Sequence, residues 1–139
     1  MQIRFKHLAL LALLVTVGHF AALKLELYKG KIWVDMPLHF TSGIALGLLA
    51  IWILENLKNK LSGTALIIWV TALALAGSFV WELFEFLLHQ FAPDIALNLR
   101  LYSPRVSDVL SDMTFGALGG LAISIIYPPS QNTGAQGRG

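Results

Sequence analysis

Four long apolar runs, separated by short polar stretches, organise this chain. They extend from about Leu8 to Leu23, Trp33 to Leu54, Thr64 to His89 and Val106 to Tyr127. Each is close to the roughly 20 residues that a helix needs to cross a bilayer. None alternates with the period of two that a half-buried strand requires. In hydrocarbon a helix also satisfies all its backbone groups within its own segment. The pattern therefore predicts an all-α fold: a four-transmembrane-helix bundle with short loops, forming one domain over residues 1–127.

The connections are polar. Residues 24–31 hold Lys24, Glu26, Lys29, Gly30 and Lys31, and residues 55–63 read ENLKNKLSG. Residues 90–105 form the longest connection, with Pro93, Asp94, Arg100, Pro104 and Arg105, and read as a surface segment suited to a lid. The end of the chain, PPSQNTGAQGRG over residues 128–139, has the Pro, Gly and polar composition of a disordered tail. No internal repeat is present. The first run also has the basic start (Arg4, Lys6) and apolar stretch of a signal peptide. His19 or Phe20 in the −3 position near Ala21 and Ala22 fits cleavage poorly, so it is read as a retained span.

Four spans put both termini and the middle loop on one side, with Arg4, Lys6, Lys58, Lys60 and Arg138. The other side has Lys24, Lys29, Lys31, Arg100 and Arg105. The two sides balance, so only the basic start of the first helix favours cytoplasmic termini.

Composition narrows the class. The chain is 56% apolar and 13% charged over 139 residues, against about 25% charged for a soluble domain. The net charge of +2 comes from residues at helix ends, not from a basic stripe, so no nucleic-acid partner is expected. Membrane lipids are the expected partners, and the small size leaves room for a homo-oligomer or a larger membrane complex. With no cysteine, disulfides, thiolate metal sites and cysteine nucleophiles are excluded.

Against this background the ionisable residues stand out, because an ionisable group at the centre of a span costs roughly 2.5–3.5 kcal/mol by insertion scales. They come in pairs one turn apart: Asp35 with His39, Glu82 with Glu85, and Asp108 with Asp112. Residues three or four apart share one helix face. The topology brings all three pairs toward one side of the membrane. Counted from the run ends, His39, Glu82 and Asp112 each lie roughly 10 Å below that face. His19 and His89 are within reach of the same layer.

Carboxylates with imidazole suit Zn, Mn or Fe, and oxygen-only sites suit Mg or Ca. Asp35, His39, Glu82, Glu85, Asp108 and Asp112 are therefore the candidate ligands of a divalent metal (Zn, Mn, Fe or Mg). Glu82, Glu85 and Asp112 are the candidate catalytic carboxylates, and Arg100 and Arg105 the candidate receivers of an anionic headgroup. Plainer readings stand beside these. Asp35 fits a helix N-cap with Pro37 in the first turn, and Asp108 with Ser107 fits the cap of the fourth helix. His19 fits a hydrogen bond to a neighbouring group, and His89 fits exposure at the interface. Trp33, Trp81 and Tyr102 fit an aromatic belt. Gly43 with Gly47 and Gly116 with Gly120 are GxxxG pairs of the kind that let helices approach closely. Ser107 and Ser111 lack any nucleophile-elbow context.

The pieces Asp35-Met-Pro-Leu-His39, Trp81-Glu82-Leu-Phe-Glu85 and Arg105-Val-Ser-Asp108-Val-Leu-Ser-Asp112, followed by Gly116-Ala-Leu-Gly119, occur in a distinctive order. Over residues 33–121 the chain resembles the VanZ-like and YjdF-like group of small bacterial membrane proteins. VanZ-like proteins proper tend to carry Gln after the first Glu and Asn in place of Asp112, so the paired acids are closer to the YjdF-like branch. The resemblance implies a multi-pass protein of the bacterial inner (plasma) membrane with polar groups gathered near one face. Some VanZ-like members are linked to glycopeptide resistance.

Three functions follow as expectations. The first is a metal-dependent hydrolase of a lipid or lipid-linked envelope intermediate. The second is a non-enzymatic accessory subunit, whose polar pairs fix the fold. The third is a cation or proton transporter; it ranks last because residues 44–54 and 67–75 hold almost no polar groups.

Overall fold

A computed structural model describes residues 5–28, 35–57, 61, 63–101 and 105–127. The expected tail at 128–139, the segment start at Trp33, the belt residues Trp33 and Tyr102, and Arg4, Lys29, Gly30, Lys31, Lys58, Lys60, Pro104 and Arg138 lie outside the described residues.

The described chain is helical throughout its regular elements: α1 (Phe5–Lys24), α2 (Met36–Asn56), α3 (Gly63–Phe91), α4 (Pro93–Asn98) and α5 (Val106–Ile126). Four of these, all but α4, are long and apolar enough to cross a membrane. Helix α3 is longer than its apolar run suggests. Its 29 residues span about 43 Å, well beyond a hydrocarbon core of about 30 Å. It stops where Pro93, which has no backbone N–H, disfavours a helical residue before it. Ala92 has left the helix at φ −145° and ψ 63°, and Pro93 then opens α4 at a position where its missing donor costs nothing. The connection read as a lid-like loop thus contains a short helix packed on α3.

Helices α1 and α4 end in the same way. Glu26 and Arg100 adopt left-handed backbone, at φ 55° and 54°. Leu27 N–H donates to the Ala22 carbonyl at 2.9 Å, and Leu101 N–H donates to the Ala96 carbonyl at 3.1 Å. These are the six-to-one bonds of a Schellman ending, whose left-handed residue is usually glycine.

The tightest helix pair is α2 with α5, with α3 packed against both, while α1 rests chiefly on α2. Glycine makes the α2–α5 approach close. A Cβ on Gly43 would overlap the Gly116 carbonyl, and one on Gly119 would overlap the Phe40 carbonyl. Gly47 faces Gly120 and the Ile123 side chain across the same seam. Both GxxxG pairs therefore work as packing surfaces.

The two ends of the bundle differ. Near the start of α1, Leu8 joins Ala50, Ile51, Leu66 and Val70 in a buried apolar cluster, with Leu48, Trp52, Ile123 and Tyr127 around it. The opposite end collects the starts of α2 and α5 and the end of α3, which carry the acids and His39. Most large apolar side chains on the outside, among them Phe20, Trp69, Phe79 and Phe84, are exposed, as a lipid-facing surface requires.

Candidate metal centre

Asp35 stands at the N-cap position of α2 but makes no side-chain capping bond. Its carboxylate turns along the helix to His39, one turn on. Oδ2 of Asp35 lies 3.7 Å from His39 Nε2. Asp112 Oδ2 lies 3.9 Å from the same nitrogen. Asp112 reaches this position from the second turn of α5, carried in by the glycine seam just below it. The His39 and Asp112 side chains retain 12% and 11% of their exposure, and that of Asp35 retains 35%. One ligand atom from each of the three lies within 4.8 Å of the others.

These separations are too long for direct hydrogen bonds. They are slightly wider than the spacing of donor atoms around a tetrahedral metal, about 3.3 Å when each bond is 2.0–2.1 Å. Two carboxylates and one imidazole form a donor set suited to Zn, Mn or Fe. The same set also works without metal, as a protonated imidazole held between two carboxylates.

Glu82, Glu85 and Asp108 are not part of this three-residue group. Glu82 acts electrostatically on His39, and Asp35 and Asp108 act on Glu82. Glu82 Oε1 is buried and accepts no hydrogen bond among the described residues. Glu85 accepts a hydrogen bond from Trp81 Nε1 at 2.6 Å, which aims it along α3. Asp108 is in the first turn of α5 and half-buried; the cap position there belongs to Arg105, which makes no side-chain cap bond, so the expected Asp108/Ser107 cap is replaced. Along their own helices His39, Asp112 and Glu82 lie about 5, 9 and 14 Å from the nearest end.

The expected headgroup residues differ in setting. Arg105 is exposed at the start of α5. Arg100 lines a cavity of about 180 Å³ with Leu23, Glu26, Tyr28 and Asn98. Its guanidinium has no ion-pair or hydrogen-bond partner among the described residues.

Tyr28 is a residue that sequence reading missed. Its hydroxyl lies 2.9 Å from His19 Nδ1, so His19 takes the hydrogen-bonded role and stays outside the metal group. Burial, and then the charges of Asp35 and Glu85, push the Tyr28 phenol above its ordinary range, so it stays neutral and able to donate. The available signal was its place in the first connection, on the same face as the acids. His89 is partly buried rather than exposed.

Four helices long and apolar enough to cross a membrane, with an Asp/His/Asp group near one end of which Asp112 is buried, define a polytopic helical membrane protein with a candidate polar centre. The chain belongs to the DUF2238 family of predicted membrane proteins, whose family model matches residues 2–129. No curated protein and no solved structure matches it.

Proposed function

We propose that Asp35, His39 and Asp112 hold one divalent metal, and that the site hydrolyses a phosphate-bearing lipid or lipid-linked envelope intermediate. The observation that carries this reading is the convergence of three ligand atoms from two helices within 4.8 Å. The VanZ-like and YjdF-like motifs at residues 33–121 support an envelope setting in the bacterial inner membrane. The imidazole favours Zn, Mn or Fe over Mg. A metal in this position supplies Lewis acidity toward a phosphoryl oxygen. Glu82 is the general base: its unbonded, buried Oε1 is free to take a proton from water. Glu85, steered by Trp81, and Asp108 complete the acidic wall as further candidate ligands, and Arg100 and Arg105 receive the anionic headgroup.

The test is phosphate release from a lipid diphosphate by purified protein in lipid nanodiscs, with Mn²⁺ or Zn²⁺ added. Activity abolished by chelator, by Glu82→Gln and by Asp112→Asn is the expected result. Metal bound to the wild type with no release under any condition would overturn the hydrolytic reading.

A second reading, the accessory subunit, draws on the position of His39 Nε2 between carboxylates of α2 and α5. A charged imidazole there clamps the two most closely packed helices. It predicts a metal-free protein whose assembly depends on His39. Transport ranks third, because the end of the bundle near the termini is closed by Leu8, Ile51, Leu66 and Val70.

A further inference from the structure

Two helices end at one cavity with a charged residue in the backbone conformation that glycine adopts most cheaply. Glu26 closes α1 and Arg100 closes α4, both with φ near +55°, and both line the same pocket. For an L-residue the left-handed region costs roughly 1–2 kcal/mol, and glycine would avoid it. The chain instead keeps an anion and a cation there. Strain held by two side chains at one cavity points to a use for those side chains.

The other polar lining groups fit the same use. Asn98 brings a side-chain amide on α4. Tyr28 brings a phenol whose oxygen already meets His19. Leu23 supplies an apolar wall at the end of a membrane-spanning helix. Arg100 carries no ion pair among the described residues, leaving its fork of donors available to a phosphate.

We infer that the Leu23/Glu26/Tyr28/Asn98/Arg100 cavity is a binding site for a zwitterionic phosphoethanolamine group. The phosphate sits on Arg100, with Asn98 and Tyr28 as hydrogen-bond partners, and the ammonium sits toward Glu26. This deepens the reading of a phosphate-bearing lipid substrate and rests on it for its catalytic meaning. Binding itself requires no metal.

The experiment is native mass spectrometry of the full chain, without added metal, in detergent containing equal amounts of phosphatidylethanolamine and phosphatidylglycerol. Wild type should retain the ethanolamine lipid at least five-fold over the glycerol lipid. Arg100→Gln should lose both lipids, and Glu26→Gln should keep phosphate binding but lose the preference. Arg100→Gly relaxes the backbone, so it should melt no lower than wild type while losing the lipid, which separates binding from folding. Soluble phosphoethanolamine is the second probe: displacement of the lipid at millimolar concentration would assign the site to the free headgroup chemistry, and no displacement would assign it to the intact lipid. Equal retention of the two lipids by wild type, or wild-type retention by Arg100→Gly, would overturn the inference. Retention of the ethanolamine lipid with neither phosphoethanolamine nor ethanolamine released from it would refute only the hydrolytic reading.

Discussion

At the residue scale the decisive feature is where the Asp35 side chain goes. A helix-capping Asp would accept from a backbone N–H of the first turn; this one faces His39 instead. The Asp35–His39 spacing was legible because the i,i+4 relation fixes a shared face whatever the tertiary structure. The partnership with Asp112 was legible only as a shared membrane side, since the sequence does not say which of six groups converge. Asp112 is the more buried carboxylate and Asp35 the more exposed, so water can replace Asp35 more readily. Asp112→Asn should therefore weaken metal binding more than Asp35→Asn, as read by metal titration. Tyr28→Phe should cost about 1 kcal/mol through its lost hydrogen bond to His19, seen as a lower melting temperature.

At the element scale, glycine placement explains why α2 and α5 present Asp35, His39 and Asp112 to one another. Gly43→Ala puts a methyl group into the Gly116 backbone, which has no room to yield. Overpacking of this kind costs about 1–3 kcal/mol, and separation of the helices should also release bound metal. Gly77→Ala is the control, because its methyl meets only the flexible Leu46 side chain. A melting temperature for Gly43→Ala equal to that of Gly77→Ala would contradict the seam. The GxxxG spacing and the four spans were visible beforehand, because bilayer thickness and helix pitch constrain them tightly. Helix α4 and the two left-handed helix ends were not. Six residues hold too few turns to set up a period, and the usual glycine marker is replaced by Glu26 and Arg100.

At the scale of the whole molecule, the bundle has an apolar end near the termini and a polar end at the first and third connections. The absence of cysteine makes this arrangement directly measurable. Single cysteines at Glu26 and Asn98 should react with an impermeant thiol reagent from one side of the membrane. Those at Asn56 and Gly63 should react from the other. Cytoplasmic termini would place the polar end away from the cytoplasm, where envelope intermediates are processed; labelling of Glu26 and Asn56 positions from the same side would break the four-span topology. The central claim is that the polar end holds metal. Elemental analysis of the protein purified in mild detergent tests it most directly, comparing wild type with the His39→Ala/Asp112→Asn double variant and checking helicity in both. The account predicts close to one Zn, Mn or Fe per wild-type chain and none in a folded double variant. A folded, metal-free wild type that takes up no added metal would contradict it.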